Sequence, residues 1–218
     1  MELDQKKIFL NSEGDFWYER NRKKLNEFDF KNDLYTKKLI NIIKKNSEIK
    51  CVLDVGCSDG SRINYLKQIF KKVKFSGIDP SKKAIKFKKF KHISLKVGTA
   101  DRLEFSSNKF DLIMFSFCLY LCDDKYLKKI VDETIRVSKK KSFILINDFY
   151  FKGVKYLKYK HKKNIRSRKM DYSKIFTNNK KISLISKKIY TNREHNLYKN
   201  QKLNELAVYT LLLKKDKN

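Results

Sequence analysis

The sequence predicts an open α/β fold. The expected core is a doubly wound, mostly parallel seven-stranded sheet, with one antiparallel strand near its C-terminal edge and helices on both faces. Three observations carry this. Between residues 50 and 148, short apolar runs alternate with amphipathic stretches, the rhythm of parallel strands joined by right-handed crossovers. Phe110–Phe117 and Ser142–Ile146 are close to unbroken apolar runs, as strands covered on both faces require. Ser183–Tyr190 and Glu205–Leu213 follow one another without a helix between them, the mark of an antiparallel pair at a sheet edge.

Length and composition set the bounds. A chain of 218 residues fits one domain able to bury a core. It divides into an arm or lid (1–30), a core (31–148), an insertion (149–182) and a terminal strand pair (183–215). No stretch approaches the ~20 apolar residues that span a membrane, and the start, MELDQKK, lacks the apolar run of a signal peptide. Cys51, Cys57, Cys118 and Cys122 lie in or beside apolar runs without zinc-site spacing. They are expected to be reduced, buried thiols of a cytoplasmic protein, with no metal site.

The net charge of +29 raises the question of nucleic acid. Of the 53 basic residues only eight are Arg, the side chain whose planar fork reads phosphates and bases. The lysines are spread over every helical stretch rather than gathered in one block. Solvated lysine faces are favoured over a dedicated nucleic-acid surface.

The elements follow in order. Residues 1–26 are polar apart from Phe16-Trp17-Tyr18, which reads as the anchor of a terminal arm or as an aromatic lid over a ligand. A helix is expected over 31–45 with Asn32 as its cap. Lys50–Gly56 is a strand and Ser61–Phe70 a helix. Lys74–Asp79 is the second strand, and Pro80-Ser81 opens a lysine-rich helix running to about Phe90. Ile93–Val97 is a short strand. Tyr126–Val137 places Leu127, Ile130, Val131, Thr134 and Ile135 on one helical face, with Asp124 as a candidate cap. The strand Ser142–Ile146 ends at Asn147-Asp148. Residues 149–180 are rich in Tyr, Lys and Arg without a buried-strand signature, the late loop holds Asn192 and Asn196, and the last five residues read as a frayed tail.

In such sheets a ligand sits beyond the carboxyl ends of the strands, so the residues falling there carry the chemistry. The first strand supplies Asp54 and the turn Gly56-Cys57-Ser58-Asp59-Gly60; the second supplies Asp79; the third, Gly98 to Asp101; the fourth, Ser116; the fifth, Asn147 and Asp148. An acid at the second strand end can accept both hydroxyls of a ribose. Asp101 could take the amino group of a purine. Each acid taken singly is equally suited to a helix cap or a turn. Glycines four apart do not make the G-x-G-x-x-G dinucleotide turn, and no phosphate-binding G-x-x-x-x-G-K-[ST] loop is present.

These residues resemble the class I S-adenosylmethionine-dependent methyltransferases, whose fold is Rossmann-like. Val52–Gly60 is similar to their first motif, Gly77–Ser81 to their second, Gly98–Asp101 to their third and Phe110–Leu121 to their fourth; Glu133–Val137 and Phe143–Ile146 resemble the helix and strand that follow. The resemblance covers about residues 31–148, and the final strand pair fits the family's end. It implies S-adenosylmethionine as cofactor. Gly56, Cys57, Ser58 and Gly60 would line its methionine part, Asp54 would meet its amino group, Asp79 the ribose, and Ala100 and Asp101 the adenine. Pro80 and Ser116 complete the set. Ser58 stands where the family has its middle glycine, and Tyr120 where many relatives have His.

The resemblance also implies methyl transfer, expected at oxygen or nitrogen of a small-molecule acceptor; the aromatics and cations of the insertion suit a sugar or nucleotide-linked metabolite. The alternatives are an RNA or protein acceptor, or a non-catalytic nucleotide- or RNA-binding module. An activated methyl group mainly needs its acceptor held in line. A base helps a hydroxyl acceptor more than an amine, and the candidates are Asp148 and His161. The insertion, with Tyr150, Tyr156, Tyr159, His161, Arg166, Arg168 and Tyr172, is expected to set the acceptor.

Overall fold

A computed structural model describes residues 4–87, 90–191 and 206–215. The most apolar runs form the middle of its sheet: β1 (Cys51–Val55), β4 (Phe110–Ser116) and β5 (Ser138–Phe149). Outward on one side lie β2 (Lys74–Asp79) and β3 (Ile93–Val97). On the other side lie β9 (Leu206–Lys214) and β8 (Ile182–Thr191). The order is β3-β2-β1-β4-β5-β9-β8. Pairings are parallel from β3 to β5, and β9 runs antiparallel to both β5 and β8. The chain winds outward in both directions from β1 and β4, which places the switch point at their carboxyl ends.

Helices cover both faces. On one, α3 (Leu34–Lys45) and α4 (Ser61–Ile69) pack Leu39, Ile43, Ile63 and Leu66 against Val52 and Met114. On the other, α6 (Leu127–Val137) and α7 (Ser173–Thr177) pack Ile130, Val131 and Phe176 against Leu53, Ile113 and Ile144. The short α5 (Lys82–Phe87) follows β2.

Several local expectations are corrected. The cap of α3 is Asp33, whose Oδ2 accepts the Thr36 amide at 2.8 Å and the Thr36 hydroxyl at 2.7 Å. Asn32 bonds to Asp29 instead. Asp124 begins a 3-10 turn before α6, which has no side-chain cap. Its carboxylate is occupied by Arg168 and the Tyr156 hydroxyl. Strand β5 is longer than Ser142–Ile146 at both ends. The polar Lys139–Lys141 lie where its register with β4 shifts between Phe110 and Leu112, so the apolar pattern starts late. Asn147 and Asp148 are therefore inside the strand rather than beyond it. The expected end of the lysine-rich helix crosses residues 88–89, which lie outside the described residues. So do Asn192, His195, Asn196 and residues 216–218 of the expected tail.

The arm is helical, which its polar sequence did not indicate. It comprises α1 (Gln5–Ile8), a wide π turn (Phe9–Glu13) and α2 (Gly14–Asn26). Gly14 brings it against the end of β2: a Cβ there would meet the Phe9 carbonyl oxygen at 2.8 Å and the Ser81 nitrogen at 3.1 Å. Asp15 fastens the contact by accepting the Ser81 hydroxyl at 2.7 Å and the Lys83 amide at 2.9 Å. In the aromatic triplet each residue has its own environment. Tyr18 is buried edge-on to Phe87 at 5.8 Å, Phe16 is exposed, and Trp17 faces the cavity described below.

Within the insertion, β6 (Lys155–Lys158) and β7 (Arg166–Lys169) form a two-stranded antiparallel ribbon. It grips the arm from outside. The Arg166 amide donates to Gln5 Oε1 at 2.6 Å, and Gln5 Nε2 donates to the Arg166 carbonyl at 3.2 Å. The Tyr159 hydroxyl donates to Glu13 at 3.1 Å, and Arg20 pairs with the same carboxylate.

Candidate active site

The turn after β1 is held by its neighbours. Gly56, Ser58 and Gly60 all have positive φ, at 79°, 51° and 76°, the region an L side chain enters only at a cost. Gly56 also has no room for a side chain, since a Cβ would lie 2.6 Å from Cys118 Cβ. Ser58, standing where a glycine was expected, adopts the glycine conformation. Its amide donates to Asp79 Oδ2 at 2.9 Å, while the Ser81 amide donates to Asp79 Oδ1, also at 2.9 Å. One carboxylate thus joins the turn after β1 to the turn after β2. Burial pushes the Asp79 carboxyl up to about 6, against the pull of these two amides.

These turns open on a cavity beyond the carboxyl ends of the parallel strands, where the topology placed it. Of the residues expected at the ligand, Gly56, Cys57, Ser58, Asp79, Pro80, Ala100, Asp101 and Ser116 line it. Asp54, Gly60, Asp148 and His161 are not among its lining. Gly60 supports it as the left-handed residue preceding α4. Asp54 is buried behind the turn; burial first, then Asp79, pushes its carboxyl up to about 7 while Arg62 opposes the shift. Its Oδ1 has no hydrogen-bond partner.

Asp148 is fully buried and serves the backbone. Its Oδ2 accepts the Leu119 amide at 2.9 Å and its Oδ1 accepts its neighbour Phe149's amide at 2.8 Å. It holds the loop after β4 and does not reach the cavity, because the strand continues past it to Phe149. His161 is exposed in the ribbon loop, against Tyr159 at 5.3 Å between ring centroids. Burial and Arg20 lower its basicity. Neither candidate base is placed to touch a ligand in the cavity. Asn147, the other residue expected at this strand end, accepts the Tyr190 hydroxyl at 2.7 Å.

The remaining wall comes from residues that sequence reasoning did not assign. Phe9, Trp17 and Leu25 of the arm, with Phe28 and Phe30 after it, form an apolar and aromatic side. All five fall in the segment expected as an arm or lid, and of the Phe16-Trp17-Tyr18 triplet Trp17 is the one at the cavity. None of the lining residues comes from 149–182, so the insertion does not face the cavity but braces the arm that does. Lys6 reaches in to bond Asp101 at 2.9 Å and lies 3.9 Å from the centre of the Tyr126 ring. Arg62, the second residue of α4, lines the cavity beside the glycine turn. Its place just after Gly60 was the one available signal. The Lys6–Asp101 pair, 95 residues apart in sequence, left none.

The electrostatics of the site invert those of the chain. Among the described lining residues four are carboxylates (Asp59, Asp79, Asp101, Asp123) and two are cations (Lys6, Arg62), in a protein of net charge +29. The nearby thiols are neutral: burial pushes Cys57 and Cys118 well above the ordinary thiol range and Cys122 up to about 12. Such a site suits a ligand carrying positive charge and hydroxyl donors, and it disfavours phosphate.

Comparison with known proteins agrees with this layout. Residues 52–141 match a family model described as a methyltransferase domain. No curated protein matches the chain. Among solved structures, a SAM-dependent methyltransferase from Methanosarcina mazei has a TM-score of 0.64 at 16% identity, covering 81% of this chain and 97% of that one. The 1,6-didemethyltoxoflavin-N1-methyltransferase of Burkholderia thailandensis, solved with 1,6-didemethyltoxoflavin and S-adenosylhomocysteine, has a TM-score of 0.63 at 9% identity over 80% of this chain and 75% of that one. The 4+2 cyclase SpnF shares the fold too, with a TM-score of 0.61 at 11% identity over 84% of this chain and 82% of that one.

Proposed function

We propose that this chain, whose residues 52–141 match a methyltransferase-domain family model, is a class I S-adenosylmethionine-dependent enzyme that moves a methyl group from that cofactor to a nitrogen or oxygen of a small-molecule acceptor. The observation that carries the reading is the convergence of three strand ends on one acidic cavity: the turn at Gly56–Ser58, Asp79, and Ala100-Asp101.

The residues present fit the cofactor. Asp79 has each oxygen engaged by one backbone amide, which leaves each a further lone pair for a ribose hydroxyl. The buried Ser58 hydroxyl has no hydrogen-bond partner and offers one at the turn. The acidic lining suits a ligand with a sulfonium and an ammonium group. Asp101, held by Lys6, would meet the adenine end, and Asp54 lies buried behind the turn, outside the lining of the cavity. When bound, the cofactor supplies a methyl group already activated by its positive sulfur.

The chain's own contribution is positioning and exclusion of water. Phe9, Trp17, Leu25, Phe28 and Phe30 form the acceptor side of the cavity. The cations of the insertion, which suggested a sugar or nucleotide-linked acceptor, stand outside it. A planar, largely apolar acceptor fits this wall better. With Asp148 buried under backbone bonds and His161 on the surface, a nitrogen acceptor, which needs no strong base, is favoured over a hydroxyl. The net charge is the only support for an RNA acceptor, and the carboxylates of the cavity oppose it. Reduced cysteines are in keeping with a cytoplasmic enzyme. Among the described residues no helix is long and apolar enough to cross a membrane.

Calorimetric titration with S-adenosylmethionine tests the reading, and failure of the protein to bind it refutes it. Transfer of a radiolabelled methyl group to lysate fractions of small molecules, RNA and protein then assigns the acceptor class. Cofactor binding without transfer to any fraction would support the non-catalytic alternative.

A further inference from the structure

We infer that Arg62 is the residue that binds the carboxylate of the cofactor's methionine part; the inference rests on the cofactor reading above. Arg62 stands at the start of α4, next to the glycine turn, with its side chain only 13% exposed. Its guanidinium lies over the rings of Tyr35 and Phe30, 5.1 and 5.9 Å from their centres. These faces hold the planar group in one orientation.

What the guanidinium lacks is a close anion. Its Nε is buried without a hydrogen-bond partner, and the nearest ion pair, with Asp33, is 4.0 Å long. The same Asp33 oxygen already caps α3 through Thr36. A buried fork of donors in this condition is costly unless a ligand completes it.

The rest of the lining says where an anion can go. Asp59, Asp79, Asp101 and Asp123 make most of the wall repulsive to a carboxylate. The second cation, Lys6, is taken by Asp101 at 2.9 Å. The amino-terminal end of α4 adds its partial positive charge on the same side. A ligand bearing one carboxylate and two positive groups is therefore oriented by this cavity: its cations toward the acids, its carboxylate toward Arg62.

Arg62 also lies close enough to Asp54 to oppose the rise of that carboxyl, so a purely structural role must be separated from a binding one. The test is calorimetry of the full chain with two ligands, S-adenosylhomocysteine and its decarboxylated counterpart S-adenosyl-3-thiopropylamine. The parent protein should prefer the first by roughly 10- to 100-fold, the usual contribution of a charge-assisted pair. Arg62→Gln should abolish that preference and leave the affinity for the decarboxylated ligand within about two-fold. Arg62→Lys, which keeps the charge and loses the fork, should keep part of the preference, and it reports by itself if the Gln variant does not fold. A preference that survives Arg62→Gln, or a parallel loss of both ligands, overturns the inference. A parent protein that binds neither ligand refutes the cofactor reading instead.

Discussion

The amide of Ser58 donates to Asp79 Oδ2 at 2.9 Å, so the acid expected to bind a ribose also ties the first strand's turn to the second strand's end. Removing that carboxylate should act twice. Asp79→Ala is expected to lower the affinity for S-adenosylhomocysteine by about 100-fold, two lost charge-assisted bonds. It should also lower stability by about 1–3 kcal/mol, because two amides lose their acceptor. Calorimetry and thermal melting read the two effects separately. With the Asp79 carboxyl at about 6, ligand affinity in the parent should weaken as the pH is taken below 6, and that dependence should vanish in Asp79→Asn.

Ser58 at φ 51° bears the strain of a position shaped for glycine. Ser58→Gly is expected to raise stability by about 1 kcal/mol, as left-handed backbone is relieved. Ser58→Val should destabilise. Denaturant midpoints at constant m-value check both.

Asp54 is buried with a carboxyl raised to about 7. A raised carboxyl means that the folded chain holds a proton the unfolded chain has released between about pH 4 and 7, so its contribution to stability falls as the pH rises through that window. The stability of Asp54→Asn relative to the parent should therefore grow from pH 5 to pH 8. Melting temperatures of the pair across this range give the sign directly.

The ribbon should govern the arm rather than the ligand. Tyr159→Phe removes the bond to Glu13 and is expected to speed amide hydrogen exchange over Gln5–Asn26 while the central strands keep their protection. Ligand affinity should change less than ten-fold, because neither Tyr159 nor Glu13 lines the cavity. Equal loosening of β1 and β4 would contradict this division of labour.

Much of the core was readable because its signals are local. A buried strand such as Phe110–Ser116 announces itself by apolar residues on both faces, and the Gly56–Gly60 turn by the residues that can take positive φ. The place of Asp79 at the cavity was legible because topology alone brings a second-strand terminus there. The aromatic wall was mostly not, since Phe28 and Phe30 look like any exposed aromatics until the arm folds back. Asp148 was misjudged for a related reason: the polar pair Asn147-Asp148 reads as a strand end, yet the strand carries both inward, where Tyr190 and the loop amides receive them. The lysine-rich start of β5 shows the converse, a strand continuing where its residues are charged because its partner reaches only Phe110 there.

The position of β9 has a consequence for biosynthesis. Among the described strands β9 is made after all the others, yet it lies between β5 and β8. Until Leu206–Lys214 emerges, β5 exposes a long apolar edge and β8 has no neighbour to pair with. From the completion of β5 until Lys214 has emerged, the nascent chain thus carries a sticky, half-built sheet. A chain cut short before Leu206 should partition into aggregates or chaperone complexes even though every residue of the ligand cavity has already been synthesised.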